Sequence, residues 1–532
     1  YIGDVIRNTL NIISDAQEKK INALVLTADL EQAFDKLTFS CILQALELFN
    51  FGPRFRGWIK VLLTENYSNV LMCGFLSHKI NVKRSARQGD PIAPYLFVIA
   101  LEVLALRIRH DSRIKGYSCG SREQKLSLLA DDVTCYFEGT KQEIESSLRI
   151  LYDILQEFEH VSGLKTSAEK SNAMWIGAAV GQAPICLDLR FSWSSNLKLL
   201  GVTFDDQLKE LDKNFDEKLI AIQKLLAGWK QRSLTLLGKI TVWKTLALSK
   251  LTYIALMIPF ISPERIKRIR EIMLEFLWGG GSAKIAIRTL QLPTSEGGLN
   301  LPSIEEYLAS LKTGWIRRFV AVDSFWKHVL RSKISENGLN PDEIFRMGDK
   351  YSESIAKKLT NPFWKEVFQS FSHWQLKVQR LNSDSKRTPI WFNSDITRGH
   401  TTLSPEEFIG WIEAGITEVG DLRDSNNAML GFQEFCSRTG ISNTSINSLL
   451  FAGVIGSVTK RKTFVPSLAK DENDERPSHT LISEIILQQT KGCRHFRKIH
   501  VLFSTHFGSP TPVKERWHKR LNCIISDQGW KK

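Results

Sequence analysis

Apolar positions along the first two hundred residues follow two rhythms, one of strands and one of helices. A helix-like pattern is already under way from Ile2 to Ala16. From Ala23 to Ala28 a run rich in Val, Leu and Thr has the length and composition of a buried strand, and it ends on Asp29. Helical patterns follow over Leu37–Leu48 and Arg54–Leu63. A hairpin-like stretch comes next over Asn69–Val82, with turn signals at Gly74 and Asn81, and then a loop over Lys83–Pro94. The segment Tyr95–Ile108 carries apolar residues at Leu96, Phe97, Ala100, Leu101, Leu104 and Ile108, a spacing that makes one buried helical face. Lys125–Phe137 is apolar on both sides of the polar pair Asp131 and Asp132, which predicts two short strands joined by a tight turn with the acids at the bend. Glu143–Phe158 is helical and stops at Ser162 and Gly163, while Met174–Ile176 and Leu199–Phe204 read as strands.

After Phe204 the pattern changes. Phe215–Trp229 and Gly238–Ile258 are long, basic, amphipathic and nearly free of Pro, which predicts packed helices. The paired glycines Gly297 and Gly298 punctuate the chain within Glu296–Pro302, and helical stretches bearing Trp and Phe then run to Val378. Asp471–Pro477 is charged and reads as an exposed linker.

Composition sharpens this picture. A chain of 532 residues holds roughly three or four compact units. Its hydrophobic content of 43% excludes a disordered chain, and a formal net charge of +14 favours a polyanionic partner. Eight cysteines without paired spacing fit reduced intracellular thiols better than a disulfide framework. The longest apolar stretch, Leu251–Ile261, is too short to span a bilayer and contains Pro259, so no membrane partner is expected. Because Tyr1 opens the chain in place of Met with a helix already under way, the sequence reads as an internal piece of something longer.

The candidate chemistry lies in three acids at strand ends: Asp29, Asp131 and Asp132. An Asp-Asp pair at a turn is ordinarily solvent-facing, but this one is flanked by Leu128, Leu129, Val133 and Tyr136. Clustered carboxylates repel and lose hydration when enclosed, and a divalent cation offsets both effects. Oxygen-only ligation suits Mg²⁺, and two such ions can clamp the attacking and leaving oxygens of a phosphoryl transfer.

Three segments resemble successive reverse-transcriptase motifs: TADLEQAFD over Thr27–Asp35, ARQGDPIAPYLF over Ala86–Phe97 and LLADD over Leu128–Asp132. Two more, SGLKTSAEKS over Ser162–Ser171 and LKLLGVTF over Leu197–Phe204, are similar to that family's next motif and its primer-grip region. LLGKI (Leu236–Ile240), FLWGG (Phe276–Gly280) and EGGLNLP (Glu296–Pro302) resemble non-LTR retrotransposons of the LINE-1-like type. PIWFNSDI (Pro389–Ile396) and FIGWIEAGI (Phe408–Ile416) are similar to the C-terminal region of such elements.

The resemblance implies an α+β fold: a palm with an antiparallel sheet and partial fingers over 1–205, and a helical thumb over 206–302. A mainly helical region over 303–470 and a linker with a C-terminal segment over 471–532 would follow. It implies Asp29, Asp131 and Asp132 as catalytic carboxylates holding two Mg²⁺ ions, and Phe34 as the aromatic gate against a 2′-hydroxyl. Gln88 and Gly89 fall in the loop that contacts nucleotide and template, and Lys165 and Lys170 lie near the triphosphate. Leu129 stands where the family usually has an aromatic residue. Lys230, Arg232, Lys239 and Lys244, around Trp229 and Trp243, suit a duplex backbone gripped through its phosphates.

Cys493, His495, His500, His506, His518 and Cys523 lack the spacing of a zinc knuckle, so no zinc site is expected. The implied activity is RNA-directed DNA synthesis on a primer 3′-hydroxyl from deoxynucleoside triphosphates. Target-primed copying of an element's RNA in the nucleus is implied as well. Fingertip strands and an endonuclease would precede Tyr1, which leaves open a second reading, an inactive fragment or relic that binds RNA.

Overall fold

The computed structural model describes residues 1–64, 67–82, 84, 89–185, 191–381, 386 and 388–459. The loop residue Gln88, the expected linker at 471–477 and the Cys/His residues from Cys493 to Cys523 lie outside the described residues.

The chain opens with helix α1 (Ile2–Lys19), which ends where Lys20 turns left-handed at φ 54°. Strand β1 (Asn22–Asp29) follows, then α2 (Ala33–Lys36), α3 (Phe39–Leu48) and α4 (Pro53–Leu63). The helix expected over Leu37–Leu48 starts two residues later. Leu37 is extended with ψ 123°, and the Thr38 side chain accepts from the Cys41 N–H as a cap. Next comes a nested hairpin in which β2 (Tyr67–Ser68) pairs with β5 (Ile80–Asn81), and β3 (Leu71–Met72) with β4 (Phe75–Leu76). Cys73 and Gly74, both at positive φ, make its turn, whereas Asn81 sits in a strand rather than a turn. Helix α5 (Ala93–His110) buries all six of the apolar positions expected to face inward.

A small ribbon, β6 (Tyr117–Cys119) with β7 (Arg122–Gln124), precedes the hairpin of β8 (Leu126–Leu129) and β9 (Asp132–Glu138). Helix α6 (Lys141–Ser162) is fixed at its start by a capping box between Thr140 and Glu143 and at its end by Gly163 at φ 77°. β10 (Asn172–Gly177), β11 (Ser192–Trp193), β12 (Asn196–Leu199) and β13 (Val202–Asp205) complete the strands of this half. The expected strand over Leu199–Phe204 is instead the middle of a hairpin. Leu200 and Gly201 both take positive φ and reverse the chain between β12 and β13.

The main sheet has the order β11-β10-β1-β9-β8, antiparallel except for β10 with β11. Both faces of its centre are covered, which is why β1 reads as an unbroken apolar run. Leu24, Leu26, Val133, Cys135, Ala173 and Trp175 face α3, α5 and α6. Val25, Tyr136, Met174 and Ile176 face α1 and the helical half of the chain.

That half comprises α7 (Asp212–Lys230), α8 (Leu236–Val242), a π-helical turn over Trp243–Ala247, α9 (Leu248–Met257) and α10 (Pro263–Trp278). After α11 (Ile287–Gln291) come α12 (Ile304–Ala321), α13 (Phe325–Glu336), α14 (Asp349–Lys358) and α15 (Pro362–Leu381). Its apolar core is continuous with the sheet's second face through α1. Asp4 accepts from Arg318 at 2.6 and 2.7 Å, Asn8 from the Trp326 N–H at 2.8 Å, and Asn11 from the Trp364 indole at 3.1 Å. No helix among the described residues is long and apolar enough to cross a membrane, and the five cysteines among them are unpaired.

Candidate active site at the carboxylate end of the sheet

Strand register brings the acids together. β1 and β9 pair Asp29 directly with Asp132, and the β8–β9 hairpin closes through Ala130 and Asp131. Residues directly opposite on antiparallel strands have Cβ atoms about 4.5–5.5 Å apart, so the two side chains share one small volume. By strand alternation Asp29 lies on the face of Val25, and Asp132 on that of Tyr136. The turn is strained: Ala130 takes φ 53°, a conformation that favours glycine.

Asp29 is anchored through its backbone. Its N–H donates to Ser171 Oγ at 3.1 Å and its carbonyl accepts from the Ser167 N–H at 2.8 Å, while the Lys165 carbonyl accepts from the Glu31 N–H at 2.9 Å. The segment after Gly163 is thereby laid along the end of β1, and the exposed Lys170 Nζ reaches within 3.6 Å of Asp29 Oδ2. Asp132 is half-buried, and its carboxyl is pushed above the usual range first by burial, then by the neighbouring charges of Asp131 and Asp29.

The other expected residues are spread more widely. Phe34 is half-buried and stacks on Phe97 of α5 with ring centroids 4.5 Å apart. Gly89 takes φ 90°, and a side chain there would meet none of the described residues within 4 Å, so its conformation calls for glycine. In the helical half Lys230 pairs with Glu275, Lys239 donates to the Leu277 carbonyl at 2.9 Å, and the Arg232 guanidinium lies 4.3 Å from the Trp229 ring centre. Lys244, half-buried, also has a partner within the protein. Lys230 and Lys239 thus tie α7 and α8 to α10.

Sequence reasoning missed Tyr253. It lies on α9, donates its hydroxyl to the Leu200 carbonyl, and has a phenol raised to about 12 by burial, by Tyr1 and by the charge of Asp132. A tyrosine inside an apolar helical run carries no local signal of such a role.

The donor set, three carboxylates and no sulfur or imidazole, is of the kind that suits a hard divalent cation. Among the described residues no group of three or more His, Cys, Asp or Glu is disposed to hold a metal ion.

Residues 4–204 match the reverse transcriptase (RNA-dependent DNA polymerase) family. The transposon TX1 uncharacterized 149 kDa protein of Xenopus laevis is 25% identical over 59% of this chain and 24% of its own length. The retrovirus-related Pol polyprotein of the type-2 retrotransposable element R2DM of Drosophila melanogaster is 20% identical over 64% of this chain and 32% of its own length. A type-1 R2 element Pol polyprotein from Popillia japonica is 31% identical over 16% of this chain and 14% of its own length. The chain thus spans a third or less of each of these relatives. With the motif order, the paired carboxylates and these likenesses in agreement, residues 4–204 carry a reverse transcriptase domain, and the chain is similar to proteins of non-LTR retrotransposons.

Proposed function

We propose that this chain is an RNA-directed DNA polymerase that extends a DNA primer 3′ end along an RNA template with deoxynucleoside triphosphates. The observation that carries this reading is the register pair Asp29 with Asp132 beside Asp131, inside a region matched to the reverse transcriptase family. Asp29, Asp131 and Asp132 would hold two Mg²⁺ ions. Bound there, these ions supply Lewis-acid stabilisation of the charge that develops on the attacking and leaving oxygens. Phe34, braced by Phe97, forms a wall against a 2′-hydroxyl, and the open backbone at Gly89 gives close approach to the base. Gln88 precedes Gly89 in the chain, and the ammonium groups of Lys165 and Lys170 neutralise the triphosphate from the segment laid along the end of β1 beside Asp29.

On this reading residues 1–205 are palm and partial fingers, 206–302 the thumb and 303–470 a C-terminal region. Arg232, Lys230, Lys239 and Lys244 then face the duplex backbone. Target-primed synthesis in the nucleus is the setting that this activity serves in a LINE-like element.

The test is primer extension on an RNA template with Mg²⁺. Asp131→Ala with Asp132→Ala should lower the rate by about a thousandfold or more, since several kcal/mol of transition-state stabilisation are removed. Equal synthesis by the double variant would refute the carboxylate assignment. Duplex binding without extension by the unaltered chain would favour the RNA-binding relic instead.

A further inference from the structure

Helix α9 reaches two places at once. From its middle, Tyr253 donates to the Leu200 carbonyl in the β12–β13 turn, and a Cβ built on Gly201 would lie 3.8 Å from the Tyr253 ring. Both turn residues are left-handed, so neither belongs to a strand ladder that would hold it. Among the described residues the phenol makes the hydrogen bond recorded between α9 and this turn, and Leu200 packs with α9 in the same apolar core.

The far end of α9 is fastened firmly. The Trp315 indole donates to the Leu256 carbonyl at 2.9 Å, and Lys312 Nζ donates to the Ile258 carbonyl. Glu366 accepts from the Phe260 and Ile261 N–H groups at 2.8–2.9 Å and pairs with Lys312 at 3.2 Å. Because Lys312, Trp315 and Glu366 come from α12 and α15, the region after residue 303 fixes where Tyr253 sits. The π-helical turn just before α9 adds one residue to the helical repeat, turning the following helix by about 100°.

Resting on the polymerase reading above, we infer that Tyr253 is a positioning residue. Its hydroxyl holds the Leu200–Gly201 turn at a fixed place beside the carboxylate end of the sheet, so that the turn seats the primer terminus against Asp132. The electrostatic reach of Asp132 to the same phenol supports the proximity.

The experiment compares the full chain with Tyr253→Phe, which keeps the ring and removes the donor. An RNA–DNA duplex with 4-thiothymidine at the primer 3′ end reports the position of the terminus by crosslinking, and single-nucleotide addition gives kcat and KM separately. Tyr253→Phe should leave duplex affinity within about twofold, lower the crosslink yield to residues 196–205 severalfold, and lower kcat about tenfold with the nucleotide KM unchanged. Crosslink yield and kcat both equal to those of the unaltered chain would overturn the inference. So would a smaller active fraction turning over at an unchanged rate, which is the mark of a merely structural role. If the unaltered chain adds no nucleotide, the polymerase reading falls by itself, and the crosslink yield alone decides whether Tyr253 sets the turn.

Discussion

Two regions of this protein bring several charges together, one fully buried and one half-buried, and they do so in opposite ways. Where α1, α12 and α15 meet the corner after α9, the fully buried Lys312 finds the Ile258 carbonyl, the Glu366 carboxylate and, at 4.4 Å, the Phe363 ring. Arg7, equally buried, lies 3.8 Å from the centre of the same ring. Burial lowers Lys312 to about 8 and Arg7 to about 9, and Glu366 opposes that fall at Lys312. At the carboxylate end of the sheet three acids stand together, and among the described residues the cation recorded in an ion pair with them is an exposed lysine, Lys170, 71% accessible, next to Asp29. The junction mixes signs: Lys312 is paired with Glu366, while Arg7, whose buried Nε has no hydrogen-bond partner, rests on the Phe363 ring. The sheet end concentrates one sign on a strained turn and leaves Asp132 pushed toward its neutral form, which costs stability.

The largest expected effect lies at the junction. Glu366→Ala removes the acceptor for two backbone N–H groups and leaves Lys312 buried without its counter-charge, which should cost about 3–5 kcal/mol of unfolding free energy in urea titrations. Replacing Lys312 and Glu366 together by Met should recover much of that loss, because the uncompensated charge goes too. A single variant as stable as the parent would erase the distinction between the two regions.

The sheet end should respond with the opposite sign and a smaller size. Asp132→Asn removes one of three mutually repelling carboxylates, so the metal-free protein should melt no lower than the parent at neutral pH, while primer extension is lost. The pH dependence follows from the raised carboxyl. Between the ordinary Asp value near 3.8 and the higher folded value, the native state binds more protons than the unfolded chain, so stability falls as pH rises through that window. Parent and Asn variant should therefore converge in acid and separate toward neutrality, with the parent the less stable. A marked drop in melting temperature for Asp132→Asn would instead make that carboxylate a structural partner.

How much of this was legible in the chain depends on how local each signal is. The face of α5 lies in a single stretch of periodicity, and its six positions are all buried. The stop at Gly163 and the acids at the β8–β9 bend are likewise written in adjacent residues. The Leu200–Gly201 turn was hidden because Leu in a left-handed conformation looks like strand from its side chain alone. The break at Leu37 hides for a similar reason, since Thr38 caps through one hydroxyl inside a pattern that reads as continuous helix. Tyr253, the π-helical turn and the Glu366 clamp depend on partners 50 or more residues away, or on phase within a long helix, and no window of sequence shows either. The pairing of Asp29 with Asp132 stands between these cases, because the strands are local but their register is not.

The lysines of α7 and α8 give the smallest effect and a sharper test of the same contrast. Lys230 is paired with Glu275 on an exposed surface, where such a pair contributes well under about 1 kcal/mol, so Lys230→Met should barely move the unfolding curve. If this lysine exchanges Glu275 for a phosphate when a duplex arrives, its loss should reduce the slope of log affinity against log salt by about one, the contribution of a single phosphate contact. Glu275→Gln should then raise duplex affinity slightly, since the competing carboxylate is gone and the ammonium is freed. An unchanged salt slope together with unchanged affinity in both variants would class Lys230 with the junction, as a charge the protein uses on itself. A changed slope would class it with the sheet end, as a charge held ready for something outside the chain.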